Sequence, residues 1–440
     1  MDEYTLIIGI SAVIIISFFF NIVAKRTNIP SVLMLIALGV IIKEFVPESY
    51  EIGSIANLET LEIIGNVGLV MIVLEAALDL NLSADKKSLI INSFLVALIA
   101  LIASSLAIAG LIYVIVPGAS ESFYNCLVYA VPLSIMSSAI IIPSVGGLTG
   151  SKKEFMVYES TFSDILGIMF FYFLIGAEDG ATVQSVAIDV GINIGVTVIM
   201  SIILAYGMVF IFQRLKSQVK LFLVIAILMF MYALGKKFHL SSLLIILAFG
   251  VVLNNTKLFF RGPTLSKWVN AEKVKPIMHD FHILTLESAF VIRTFFFVIF
   301  GMFITLNSIA NWQVAAVSAG IIISLYAVRW LVLKAILRNN ITPQLYIAPR
   351  GLITILLFFV IGAHPEYTIA EFDPGVLLFV ILISSIVMTV SLITYRGERV
   401  RKVLLSQLPK LKVDKNKDGQ NDDFEDNVED NVERQDFNQF

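Results

Sequence analysis

Apolar residues along this chain come in long runs, not at the spacing of amphipathic helices or strands. Thirteen such runs lie near residues 4–24, 31–46, 58–80, 88–117, 123–148, 154–176, 182–212, 219–235, 239–254, 281–306, 311–337, 342–363 and 374–395, the second and ninth being short. Several are Leu, Ile, Val and Phe all the way round, as helices facing lipid or buried deep in a bundle are. A hydrocarbon core takes about 20 residues of helix to cross. The pattern therefore predicts an all-α membrane protein with about 13 transmembrane helices.

The polar stretches between runs fix an orientation. Connections after odd-numbered runs, with the C-terminal flank, hold 22 basic residues, from Lys25 and Arg26 to Lys410 and Lys412. Those after even-numbered runs hold Lys43, Lys236 and Lys237, beside acidic residues such as Glu48, Glu121, Glu178 and Glu366. Basic loops stay in the cytoplasm, so the N-terminus is expected outside and the C-terminus inside. No basic region or small-residue cleavage site marks a signal peptide, so the first run is expected to be a retained helix. Thirteen divides as six, one and six. An inverted repeat would pair run 5 with run 12 and make them cross near the midplane.

Composition agrees with a membrane protein: 58% of the 440 residues are hydrophobic and 15% charged, where soluble domains have about 25% charged residues. The net charge of −3 conceals segregation, because residues 413–440 hold 10 acidic and 3 basic side chains and the rest is mildly basic. A membrane domain at 1–412 with an acidic, disordered cytoplasmic tail at 413–440 is expected, and nucleic-acid binding is not. Cys126 is the single cysteine, which excludes an intrachain disulfide and a Cys-rich metal site.

The charges within apolar runs carry the candidate chemistry. Each ionised group at mid-bilayer costs at least about 2.5–3.5 kcal/mol, so it must be paired, neutralised or used. The candidates are Glu62, Glu75, Asp79, Glu159, Asp164, Glu287, Arg293, Arg329 and Arg350. Glu62 lies near the outer start of its run and can reach water. Arg329 lies near the cytoplasmic end of run 11 and is expected to snorkel. Asp164 stands mid-run among Phe162, Ile165, Leu166 and Ile168. Desolvation favours its protonated form and a bound cation favours its carboxylate, so one such group holds a proton or a small cation but not both. Two runs contain helix-breaking residues at the same depth. SIMSSAIIIPSVGGL in run 5 has Pro143 and the hydroxyls of Ser137, Ser138 and Ser144, and YIAPRGLITIL in run 12 has Pro349 and Gly351 around Arg350. Broken helices in a membrane line cavities and offer carbonyls and helix ends to ions. Two ordinary proline kinks are the plainer alternative.

Four stretches resemble the monovalent cation:proton antiporters of the sodium/proton exchanger type. ESTFSDILG (Glu159–Gly167) is similar to their GESLLNDG stretch, and YIAPRGLITILLF to their PRG helix. ESAFVIRTFFFVIFG (Glu287–Gly301) is similar to a run ending FFxxxG, and VLEAALDLNLS to LFEGGLNLDL. The four occur in the family's order across most of the membrane domain. The resemblance implies exchange of Na⁺ or Li⁺ for H⁺ by alternating access in a homodimer of the cell (plasma or inner) membrane, with no cofactor and no enzymatic reaction. It implies Asp164 as the ion site, with Ser163, Ser137 and Ser138 as oxygen ligands. Glu159 and Arg350 match a pair holding the core helices together. Glu75 matches the family's acidic residue of the third run, with Asp79, Glu287 and Arg293 as further intramembrane charges. The chain departs from the family with Ser163 for Asn, with serines at 137 and 138 for Thr-Asp, and with Arg293 where relatives often have a neutral polar residue. The serines look more like the potassium/proton branch, so K⁺/H⁺ exchange is the alternative. One carboxylate at the exchange position implies one proton per cation and an electroneutral cycle.

Two weaker features remain. Residues 414–425 fit a calcium-loop spacing, with Asp414, Asn416, Asp418, Gln420, Asp422 and Glu425 at liganding positions, although no amphipathic helices flank them and an acidic disordered tail gives the same match. His279 and His282 lie three apart and read as a solvated pair, or as a pH sensor. A membrane-embedded enzyme or a non-transporting sensor using the tail is the rival of another class.

Overall fold

A computed structural model describes residues 3–27, 30–45, 58–80, 82, 86–148, 150–176, 195–196, 199–207, 220–237, 242–255, 258, 271–303, 311–338, 341–369 and 371–413. Within these the chain is helical, with no strand. The helices are α1 (Glu3–Thr27), α2 (Ser31–Phe45), α3 (Leu58–Asp79), α4 (Lys87–Ile115), α5 (Phe123–Ser134), α6 (Ser138–Ser144), α7 (Gly150–Ile175), α8 (Lys220–Lys237), α9 (Ser242–Asn254), α10 (Ala271–Phe303), α11 (Trp312–Leu337), α12 (Leu352–Gly362) and α13 (Gly375–Val413). These labels number helical pieces, not membrane crossings: α5 and α6 are two parts of one run. Seven helices, counting that pair as one, are long and apolar enough to cross a membrane. The run expected at 182–212 falls largely outside the described residues, as do the calcium-loop residues at 414–425.

Residues 1–392 form one compact unit and 393–440 a second, within which the chain is helical as far as Val413. In the first unit the helices pack as two groups. One gathers α4, α5, α6, α7, α11 and α12; the other gathers α1, α2, α3, α8, α9 and α10. Lipid tails are as apolar as Leu, so close packing and polar contacts hold such helices together. Gly39 of α2 and Gly301 of α10 let their backbones touch: a Cβ on Gly39 would stand 2.9 Å from the Gly301 Cα. The end of α3 is capped in the same spirit, with Asn255 Nδ2 donating to the Leu80 carbonyl at 2.7 Å. Ile7, Ile8, Phe18 and Phe19 point outward, while Glu159, Asp164, Arg329 and Arg350 are buried, the reverse of a soluble fold.

Three expectations need correction. The interruption of run 5 is not at Pro143, which sits inside α6; the extended residues are Ile135–Ser137. Run 12 is not a helix in two halves. Residues 342–346 make turns, 347–351 are neither helix nor strand, and only then does α12 begin at Leu352. Pro343 and Pro349 supply no amide donors there, the amides of Leu345 to Ala348 close local turns, and the Arg350 amide bonds to Ser384. Arg329 does not snorkel: it is only 3% exposed.

Candidate functional site

The break in run 5 and the non-helical stretch before α12 meet. Ser137 N–H donates to the Pro349 carbonyl at 2.9 Å, joining run 5 to run 12 through their backbones. The amides of Met136, Ser137 and Ser138 each have a partner supplied by another element. Met136 N–H donates to Ser163 Oγ at 3.0 Å, and Ser138 N–H to Asp164 Oδ2 at 3.2 Å. Buried backbone groups must be bonded, and here α7 and the stretch before α12 do it, which permits the helix to stop. Gly167, one turn after Asp164, makes room: a Cβ there would run into the Ile135 side chain.

Asp164 is 3% exposed. One of its oxygens is held by the Ser138 amide, and Oδ1 is buried with no hydrogen-bond partner in the structure. An unsatisfied buried carboxylate oxygen is costly, and a proton or a cation would relieve it. Ser137, Ser138 and Ser163, on the break and the facing turn of α7, are buried as well. Hard oxygen donors of this kind suit small cations. Among the described residues no three His, Cys, Asp or Glu converge on a metal site, so the centre is one carboxylate among neutral oxygens.

The stretch before α12 places Arg350 at the end of α5. Its amide donates to Ser384 Oγ at 3.0 Å, its Nε to the Leu133 carbonyl at 2.8 Å, and a terminal nitrogen to the Ala348 carbonyl at 2.6 Å. Leu133 belongs to the last turn of α5, whose carbonyls have no helical partner. Arg350 supplies the donor and the favourable positive charge for that end. Gly351 is needed because its Cα faces Ser137: a Cβ would lie 2.6 Å from Ser137 Oγ.

The expected Glu159–Arg350 pair is therefore corrected. Glu159 pairs with Arg329 in two parallel bonds of 2.6 and 2.9 Å. Arg329 also donates to the carbonyls of Gln344 (2.8 Å) and Leu345 (3.1 Å) and touches the Met136 sulfur at 3.0 Å. It thus ties α11, α7, the turn before the second break and the first break into one block. The bidentate fork that makes this possible is peculiar to arginine. The signal in the sequence was arithmetic: two arginines competed for one buried glutamate, and only position along the run had assigned Arg329 to the interface.

A cavity of about 210 Å³ lies between α6 and the other helix group, lined among others by Asn21, Glu75, Ser138, Arg293 and Thr294. It reaches Ser138, the residue whose amide holds Asp164. On its far wall Arg293 and Glu75 form an ion pair of 2.9 Å. Glu287 is exposed, the Asp79 side chain lies outside the described residues, and His279 is exposed and His282 half-buried.

The comparisons with known proteins agree with this architecture. Residues 13–395 match the family model described as "Sodium/hydrogen exchanger, transmembrane". No curated protein matches the chain in sequence. A structure of the sodium proton antiporter MjNhaP1 from Methanocaldococcus jannaschii at pH 8 is similar with a TM-score of 0.67 and 19% identity, covering 90% of this chain and all of that one. An electron-microscopy map of the same archaeal antiporter is similar with a TM-score of 0.64 and 17% identity, covering 96% of this chain and all of the other. With its family model spanning all but the ends, the chain is a multi-pass membrane protein of the transmembrane sodium/hydrogen exchanger family.

Proposed function

We propose that the protein exchanges Na⁺ (or Li⁺) for H⁺ by alternating access, with Asp164 as the one seat that both use. The observation that carries this is the buried, unpartnered Oδ1 of Asp164 beside the interrupted helix. Facing the more acidic side, the carboxylate takes a proton. Facing the cation-rich side, it gives the proton up and takes the cation, with Ser163, Ser137, Ser138 and free carbonyls of the break completing the oxygen shell. One carboxylate carries one charge in either case, so each cycle moves one cation against one proton and no net charge. With the N-terminus outside, as the basic loops imply, the cavity lies on the cytoplasmic side of Ser138. The family and its archaeal structural relatives support Na⁺. The serines at 137, 138 and 163 support the second reading, K⁺/H⁺ exchange on the same fold.

Purified protein in vesicles loaded with a pH-sensitive dye tests this. Addition of Na⁺ or Li⁺ should move protons, Asp164→Asn should abolish the movement while the protein stays monodisperse, and an imposed membrane potential should not change the rate. Response to K⁺ alone selects the second reading. No response to any of the three ions would mean a sensor or an enzyme. Substantial exchange by Asp164→Asn would move the site elsewhere.

A further inference from the structure

The wall of the cavity opposite Ser138 carries the positive charge of Arg293. The Arg293 guanidinium donates to Glu75 Oε1 at 2.9 Å and to the Ala289 carbonyl at 3.3 Å. The two side chains are 18% and 12% exposed, and the face they show is toward the cavity they line with Asn21 and Ser138. The backbone behind Arg293 is fixed. Its neighbour Thr294 is hydrogen-bonded to Ser17 of α1 at 2.6 Å, and α10 is pressed against α2 at Gly39. What can change is the side chain, which has a carboxylate to rest on and open space in front of it.

An arginine stays charged at any pH the protein meets. Resting on Glu75, it leaves this wall with no net charge. Detached from Glu75, it would project an uncompensated positive charge into a narrow, low-dielectric space, where charges act strongly on one another. We propose that Arg293 is a tethered counter-charge: held on Glu75 it lets a cation approach Asp164, and released from Glu75 it repels that cation, so the pair sets the apparent cation affinity of the exchanger. This deepens the exchange reading and rests on Asp164 being reached through this cavity.

The test compares Glu75→Gln, Arg293→Gln and the double variant of the full chain in dye-loaded vesicles over a Na⁺ series. Glu75→Gln should raise the half-saturating Na⁺ about tenfold, the order expected of one uncompensated unit charge facing a cation across a low-dielectric cavity. Arg293→Gln should lower it, because the carboxylate left behind attracts cations. The double variant should return to within about threefold of the parent, which damage to packing would not do. A double variant as impaired as Glu75→Gln, or a half-saturating Na⁺ unmoved by either single change, overturns the proposal. Asp164→Asn run alongside separates the two claims: if it is inactive while the pair variants behave like the parent, only the role of the pair fails; if it still exchanges, the Asp164 reading fails.

Discussion

Breaking the Glu159–Arg329 pair should damage the fold more than any other single polar change described here. The substitution is Glu159→Gln, which keeps shape and removes charge. Both side chains are almost wholly buried, at 0% and 4% exposure, and Arg329 would keep its bonds to the Gln344 and Leu345 carbonyls but lose its counter-charge. An ion left unpaired in such a place costs about 3–5 kcal/mol. Denaturant titration in mixed micelles should show a loss of that order. The partner can be identified by double-mutant cycles. Glu159→Gln with Arg329→Gln should lose less than the sum of the singles by about 2–3 kcal/mol, whereas Glu159→Gln with Arg350→Gln should couple by less than about 1 kcal/mol. Arg350 is held by the Leu133 and Ala348 carbonyls instead. A cost under about 1 kcal/mol for Glu159→Gln, or stronger coupling to Arg350 than to Arg329, would refute the assignment.

Two further expectations concern the crossing and the surface. Gly351→Ala places a Cβ 2.9 Å from both Ser137 Cβ and Ile140 Cδ1; it should cost about 1–3 kcal/mol by overpacking and slow exchange sharply, while Gly110→Ala, with nothing within 4 Å, is the control for melting temperature and vesicle flux. Lys86→Ala removes a 2.6 Å pair to Glu154 whose side chains are each 39% exposed, so it should cost less than about 1 kcal/mol, and less still in high salt, in the same titration.

The apolar runs and the isolation of Asp164 could be read from the chain because both depend on composition along one helix. Lipid exposure and the cost of a mid-membrane charge need no knowledge of neighbours. The break of run 5 was located at Pro143 because proline is the local signal, yet α6 carries Pro143 within it. The actual interruption at Ile135–Ser137 has no local cause: its amides are taken by Ser163, Pro349 and, at the start of α6, Asp164. Those partners come from other segments, so no window of sequence contains them. Pro349 and Gly351 do lie in the non-helical segment before α12, where Pro343 and Pro349 remove donors that a helix would use. Arg329 was misjudged for a similar reason. Distance from a run's end suggested snorkelling, while the glutamate that holds it lies 170 positions away.

The most direct measurement of whether proton and cation compete for residue 164 is calorimetric titration of the purified protein with Na⁺ in two buffers of different ionisation heat. Competition predicts that each Na⁺ bound releases up to one proton, approaching one as pH falls and the site protonates, that affinity weakens as pH falls, and that Asp164→Asn releases none. Sodium binding with no proton release at any pH of the series, or the same release from Asp164→Asn, would contradict it.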